Sequence, residues 1–308
     1  MRVGPSTAEF GRTEALARLR LAVVVATTGR PATVFRMIER LSRQTRPPDR
    51  LLVVAVVEDD VVGLEDAGVK VQTTFAPRGL CSQRNHGVAV LDGDADVLIF
   101  FDDDFLPADD YLAAAERLFI DNDDIVGATG RMIADGAQGP GIGYREAVAI
   151  LADDSPPADA NSTRPLRALY GCNMAYRATA MAGMRFDENL PLYGWQEDID
   201  FSYRMAERGR LVKSAALAGV HLGEKAGRIS GKRFGYSQIA NPLYLLEKDT
   251  IPRDLALRLM RKNIASNLVR SLYPEPHIDR RGRLAGNLLG LWDLARRRLH
   301  PGRILDFA

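Results

Sequence analysis

Apolar residues gather into three short runs early in the chain, LAVVVA at 21–26, LLVVAVV at 51–57 and VLIFF at 97–101, each ending in polar or glycine-containing sequence. Runs of this length read as buried strands, and helical patterns lie between or after them. Behind the first, Thr27-Thr28-Gly29-Arg30-Pro31 is a tight turn whose proline suits a first helical position, and Val34, Met37, Ile38 and Leu41 follow at helical spacing. Behind the third, a further helix follows FFDDDFLP, since Pro107 precedes Ala108-Asp109-Asp110 and then Leu112, Ala115 and Phe119 share one face, which sets the acids between a strand end and a helix start. Strand and helix in alternation predict an α/β fold with a Rossmann-like, mostly parallel central sheet flanked by helices.

Residues 134–168 are dense in Gly, Pro, Ala and Asp and keep neither period, so a long surface loop is expected there. From 251 onward Leu255, Leu259, Met260, Ile264 and Leu268 predict one helix, Tyr273-Pro274-Glu275-Pro276 a break, and Leu284 to Leu299 a second helix. The division expected is an N-terminal extension over 1–20, a catalytic domain over 21–250 and a basic helical extension over 251–308.

Composition narrows the function. No apolar stretch reaches the roughly 18–20 residues of a bilayer span, and the N-terminus lacks the apolar core of a secretory signal. Cys81 and Cys172 stand far apart, without zinc or disulfide spacing, which fits a reducing cytoplasm and leaves the sequon at Asn161 without meaning. The formal net charge is +1, but residues 251–308 hold twelve Lys/Arg against five Asp/Glu, a local +7 that leaves −6 on the rest. No nucleic-acid partner is expected. The basic tail suits peripheral contact with the anionic inner face of a membrane, or a packing role that includes a homodimer.

Chemistry enters at Asp102-Asp103-Asp104, where mutual repulsion is tolerable if a cation or a retained proton answers it. Behind a strand, the first and third carboxylates of Asp-Xaa-Asp point the same way, and hard oxygen ligands favour Mg²⁺ or Mn²⁺. Capping of the next helix is the plain alternative. The stretch from Tyr193 to Arg204 predicts a helix with an acidic first turn, where the macrodipole favours carboxylates. Trp195 just ahead of Glu197 and Asp198 sets an aromatic plane beside carboxylates, suited to stacking a sugar while a hydroxyl loses its proton. His221 offers a neutral third ligand for a Mn²⁺-type site.

The order of these motifs resembles family 2 glycosyltransferases of the GT-A fold, in particular members that build bacterial polysaccharides. The matching stretches are AVVVATTGRP, LLVVAVVEDD, GLCSQRNHGV, FFDDDFLP, YGCNMAYR, FDE and WQEDIDFSYR, spread over about residues 20–225. The resemblance implies inverting, metal-dependent transfer from a nucleotide-diphosphate sugar, a UDP-sugar favoured, to a hydroxyl of a saccharide or lipid-linked acceptor. It implies donor contacts from Thr27, Thr28, Arg30, Arg84, Asp102 and Asp103, and from Asp59 or Asp60, because Glu58-Asp59-Asp60-Val61 replaces the usual Asp-Asp-Gly-Ser. It further implies metal ligation by Asp102, Asp104 and His221, proton abstraction by Asp198, and acceptor contacts from Trp195, Glu197 and Asn173. A haloacid dehalogenase-type phosphatase would carry its Asp-Xaa-Asp on the first strand. A sugar nucleotidyltransferase would show a glycine-rich basic loop where TTGRP stands, and an inactive binding protein on the same fold would need the acids to be incidental.

Overall fold

A computed structural model describes residues 18–159, 162–225 and 229–307. The expected N-terminal extension falls outside them up to residue 17, as does Asn161 of the sequon.

The first apolar run forms β1 (Leu21–Ala26), and Gly29 turns the chain into α1 (Pro31–Leu41) with Pro31 in its first turn. β2 (Arg50–Ala55), β3 (Gln72–Phe75), α2 (Leu80–Val90) and β4 (Val97–Asp102) complete a parallel half-sheet in the order β3-β2-β1-β4. Side chains on β1 alternate between two cores. Leu21, Val23 and Val25 meet Val34, Met37 and Ile38 of α1, while Ala22 and Val24 face Val88 of α2. Gly87 is what lets α2 lie so close, since a Cβ there would stand 2.7 Å from Val24 Cγ1.

Beyond β4 the chain adds β5 (Phe105–Pro107), α3 (Tyr111–Asp121), β6 (Ile125–Asp135), α4 (Tyr144–Asp153), β7 (Thr163–Leu166) and β8 (Asn173–Arg177). α5 (Glu197–Met205) and β9 (Arg210–His221) follow. The sheet continues β4-β8-β6-β9-β5, with β7 also on β9. In this half β6 and β9 run parallel and the other pairings are antiparallel. Three helices, α6 (Gly231–Glu247), α7 (Arg253–Leu272) and α8 (Arg280–Ala295), pack on one another at the C-terminal end.

The helix expected behind FFDDDFLP is α3, and Phe105–Pro107 before it forms the short strand β5, which docks on β9. Two expectations are corrected. Residues 134–168 are not one loop: β6 runs on to Asp135, Tyr144–Asp153 is helical with Ala147 buried, and β7 pairs with β9. Glycine and proline at the flanks of that helix hide its short apolar period. The last long helix begins at Arg280, where the Asp279 carboxylate accepts from Gly282 N and caps it, and it ends at Ala295.

Candidate active site

Asp102 closes β4 and lies beside Ala26 of β1, so the acid triplet leaves the sheet at the carboxyl end of its central strands, the place where open α/β sheets bind ligands. The three carboxylates then part. Asp103 is buried, accepts from the Thr27 hydroxyl at 2.7 Å and pairs with Arg30 Nη2 at 2.6 Å. Burial pushes its carboxyl up to about 7 against the pull of Arg30. Asp103 and Thr27 thus form a strut under the turn, where donor contacts were expected of both. Arg30 and Thr28 keep partial exposure.

Asp102 and Asp104 face a common point with His221, their ligand atoms all within 4.8 Å of one another. Three strands bring this about. β9 pairs with β5 so that His221 stands opposite Phe105, and with β6 so that it stands opposite Asp135. His221 Nε2 lies 3.3 Å from Asp104 Oδ1, and His221 Nδ1 lies 2.9 Å from Asp135 Oδ1. Tyr170 in turn donates to Asp135 Oδ2 at 2.9 Å. Burial resists a charge on His221, yet the Asp104 and Asp135 carboxylates outweigh it and raise the ring to about 10. Burial likewise works against ionised Asp104, but the His221 contact and Arg30 hold it at about 2. Two carboxylate oxygens and an imidazole nitrogen, with a carboxylate orienting the far ring nitrogen, form a donor set that fits a divalent cation. A cation held by this cluster would need His221 without its second ring proton.

The second group of acids begins at the N-terminus of α5. Asp198 accepts from Gly171 N at 3.0 Å and from Ile199 N at 2.9 Å, and burial raises its carboxyl above the ordinary value. Glu197 is buried against Arg84 Nη1, and burial lifts its carboxyl to about 8 while the guanidinium opposes that rise. Arg84 Nη2 bonds Asp102 Oδ1 at 3.0 Å and the Gly171 carbonyl at 2.8 Å. One guanidinium and one glycine therefore join the metal-type cluster to Asp198. The two acidic motifs share a single site.

Several residues expected to touch substrate are buried or bonded to protein partners in this structure. Arg84 is 1% exposed and is spent on this bridge. Its partner Glu197 is committed to the same bridge. Asn173 is fully buried, its side-chain oxygen bonded to Thr129 and to Gly130 N, which places it behind the wall. Asp60 accepts from Gly29, Val56 and Val57 N–H groups and secures the turn after β1, which leaves Glu58 and Asp59 as the exposed acids of that stretch. Trp195 is half-buried, stacked at a tilt on Phe234, with its carbonyl held by Asn241. Asp135, Tyr170 and Gly171 were not anticipated, because nothing in local sequence ties them to partners 27 to 86 positions away. Gln196 was also missed: it caps α5 from a left-handed backbone, φ 73°, while 4% exposed.

The sheet order, the acid pair at the strand ends and the carboxylate on the facing helix define a GT-A glycosyltransferase. The sequence profile of glycosyl transferase family 2 matches residues 22–187, more than half of the chain, and the chain belongs to that family. The match includes the acid triplet and stops short of Asp198 and His221. Among solved structures the chain is similar to the mannosyltransferase PcManGT from Pyrobaculum calidifontis in complex with GDP-Man and Mn²⁺, at 15% identity and TM-score 0.55 over 90% of this chain and 88% of that one. It is also similar to S. aureus TarS residues 1–349, at 13% identity and TM-score 0.54 over 91% and 82%, and to the same protein in complex with UDP-GlcNAc, at 14% identity and TM-score 0.51 over 78% and 70%. No curated protein matches by sequence.

Proposed function

We propose that the chain transfers a sugar, with inversion, from a UDP- or GDP-linked donor to a hydroxyl of a saccharide or lipid-linked acceptor in cell-surface polysaccharide or glycolipid synthesis. The observation that carries this reading is the bridge from Asp102 through Arg84 and Gly171 to Asp198, which sets a cation-type cluster beside a separate carboxylate. Support for the donor class comes from the neighbours with GDP-Man and UDP-GlcNAc. Two buried free thiols accord with a cytoplasmic enzyme.

Asp102, Asp104 and His221 would hold the cation, and Asp135 keeps the His221 ring turned toward it. A divalent ion bound there supplies positive charge against the departing diphosphate. Thr28 and Arg30, both partly exposed, and the exposed Asp59 would serve the nucleotide, and the half-buried Trp195 the acceptor ring. The acceptor oxygen bonds to the anomeric carbon as that carbon's bond to the diphosphate oxygen breaks. The electron pair leaves with the nucleoside diphosphate, and the hydroxyl proton passes to Asp198. Its two backbone donors aim that carboxylate, while burial keeps it basic enough to take a proton.

The test is transfer from UDP- and GDP-sugars with Mn²⁺, with Mg²⁺ and with chelator. Asp198→Asn is expected to lower turnover by roughly 10² to 10⁴ with donor binding kept, and turnover within about threefold of the parent removes Asp198 from this role.

A further inference from the structure

Among the described residues, α7 and α8 leave an apolar face uncovered. Near the end of α7, Leu268 and Leu272 recur at i,i+4 beside Val269, and Leu272 and Tyr273 are 73% and 81% exposed. α8 continues the pattern alongside, since Arg281 Nε reaches the Ser271 carbonyl at 3.4 Å. Its Leu288 and Trp292 repeat at i,i+4, with Trp292 55% exposed, while Gly286, Asn287, Gly290 and Asp293 on the opposite side are buried.

Cations frame this surface. Arg258, Arg261 and Lys262 are exposed on α7, and Arg296, Arg297 and Arg298 are exposed just past α8, Arg296 stacking 4.1 Å over Trp292. The carboxylates nearby are engaged elsewhere. Glu275 lies between Arg270 and Arg280, Asp279 caps α8, and Asp293 is buried against Tyr236 and Arg303. Asp254 stands at the far end of α7.

From this arrangement we infer that the α7–α8 face docks the protein on an anionic lipid surface. Trp292, Tyr273 and the leucines enter the boundary between headgroups and acyl chains, and the guanidinium groups meet lipid phosphates. A second copy of the same face is a poorer occupant, because self-association across it sets cations against cations, and among the described residues Arg258, Arg261, Lys262, Arg296, Arg297 and Arg298 outnumber the exposed carboxylates Asp254, Asp279 and Asp306 of this region. The face is also connected to the active site. Arg283 of α8 stacks 4.3 Å over Phe234, whose ring lies 4.8 Å from Trp195 ahead of the Glu197-Asp198 pair. Docking through α8 would hold the acceptor side of the site near the membrane.

The inference stands apart from the transfer reading, since lipid binding is measured without donor. The full chain is sedimented with phosphatidylglycerol/phosphatidylcholine vesicles and with pure phosphatidylcholine vesicles, and sized by light scattering without lipid. Binding to the anionic vesicles is expected to be at least about tenfold tighter. Replacing Arg296, Arg297 and Arg298 with Gln should weaken it roughly a hundredfold, at about fivefold per guanidinium. The pair Leu272→Ser and Trp292→Ser should also weaken it, with thermal melting unchanged because both side chains are exposed. Equal binding to both vesicles, no binding to either, or a dimer in solution that the serine pair dissociates would overturn the inference.

Discussion

Arg84 keeps a full charge in a place water does not reach, and it can do so because its planar fork meets carboxylates from two directions. Asp102 at the end of a strand and Glu197 at the start of a helix both depend on it. Breaking a buried pair costs more than the pair contributes, since the carboxyl groups left behind lose their partner in a place largely closed to water. Arg84→Met is therefore expected to lower unfolding free energy by about 3–5 kcal/mol in denaturant titrations. Arg84→Lys restores charge but not the fork, and should recover only part of that loss. Gly171 is a second fixed point. A Cβ there would stand 3.2 Å from both Asp198 Oδ2 and Glu197 Oε1. Gly171→Ala should therefore reduce kcat while donor affinity, read by calorimetry, changes little.

Asp198 also predicts a pH signature. Burial raises its pKa above the ordinary 3.8, so the folded state binds this proton more tightly than the unfolded state does. Its contribution to stability is thus present at low pH and is lost as pH rises through the folded value. Turnover runs the other way, because the proton acceptor must be ionised. Relative to the parent, Asp198→Asn should lose this acid-side gain in melting temperature, and the parent's acid limb in kcat should lie above the pH at which a free aspartate titrates.

Among the elements, those made from one continuous apolar run were legible: β1 falls where LAVVVA stands, and α1 begins at the proline of TTGRP. The strand exit of the acids was legible for the same reason. What could not be read is set by pairing between distant segments. β5 has three residues, one of them proline, and is a strand because β9 offers it a partner. β9 in turn carries His221 to Asp104, 117 positions earlier, and to Asp135 through the β6 register. Local sequence could nominate His221 as a ligand but not Asp135 as its support. Gln196 belongs at this scale too, because its left-handed conformation sets the entry angle of α5. Glycine reaches that conformation freely, whereas a β-branched residue does not. Gln196→Gly is expected to melt within a few degrees of the parent, and Gln196→Val to lose about 1–3 kcal/mol in chemical denaturation.

For the whole molecule, the sheet's parallel half and its mixed half meet at the site, with the ligand cluster on one side and α5 on the other. Anything that binds only this assembled state raises its stability by mass action, by about 2.7 kcal/mol at a hundredfold excess over Kd. A thermal-shift series with Mn²⁺ and UDP or GDP should show a larger rise for metal and nucleotide together than for either alone. Asp104→Asn should abolish the metal-dependent part while leaving the parent melting profile cooperative.

The distance along the chain between Asp104 and His221 has a bearing on biogenesis. When the first two hundred residues have left the ribosome, both acidic motifs already exist, yet the imidazole that completes the cluster is still unmade or inside the tunnel. Until the closing strand threads between its neighbours, the nascent polypeptide has Arg30 and Arg84 to answer the three crowded carboxylates but not the imidazole. Competence to grip a cation is acquired late, as a mark that synthesis has passed the catalytic core.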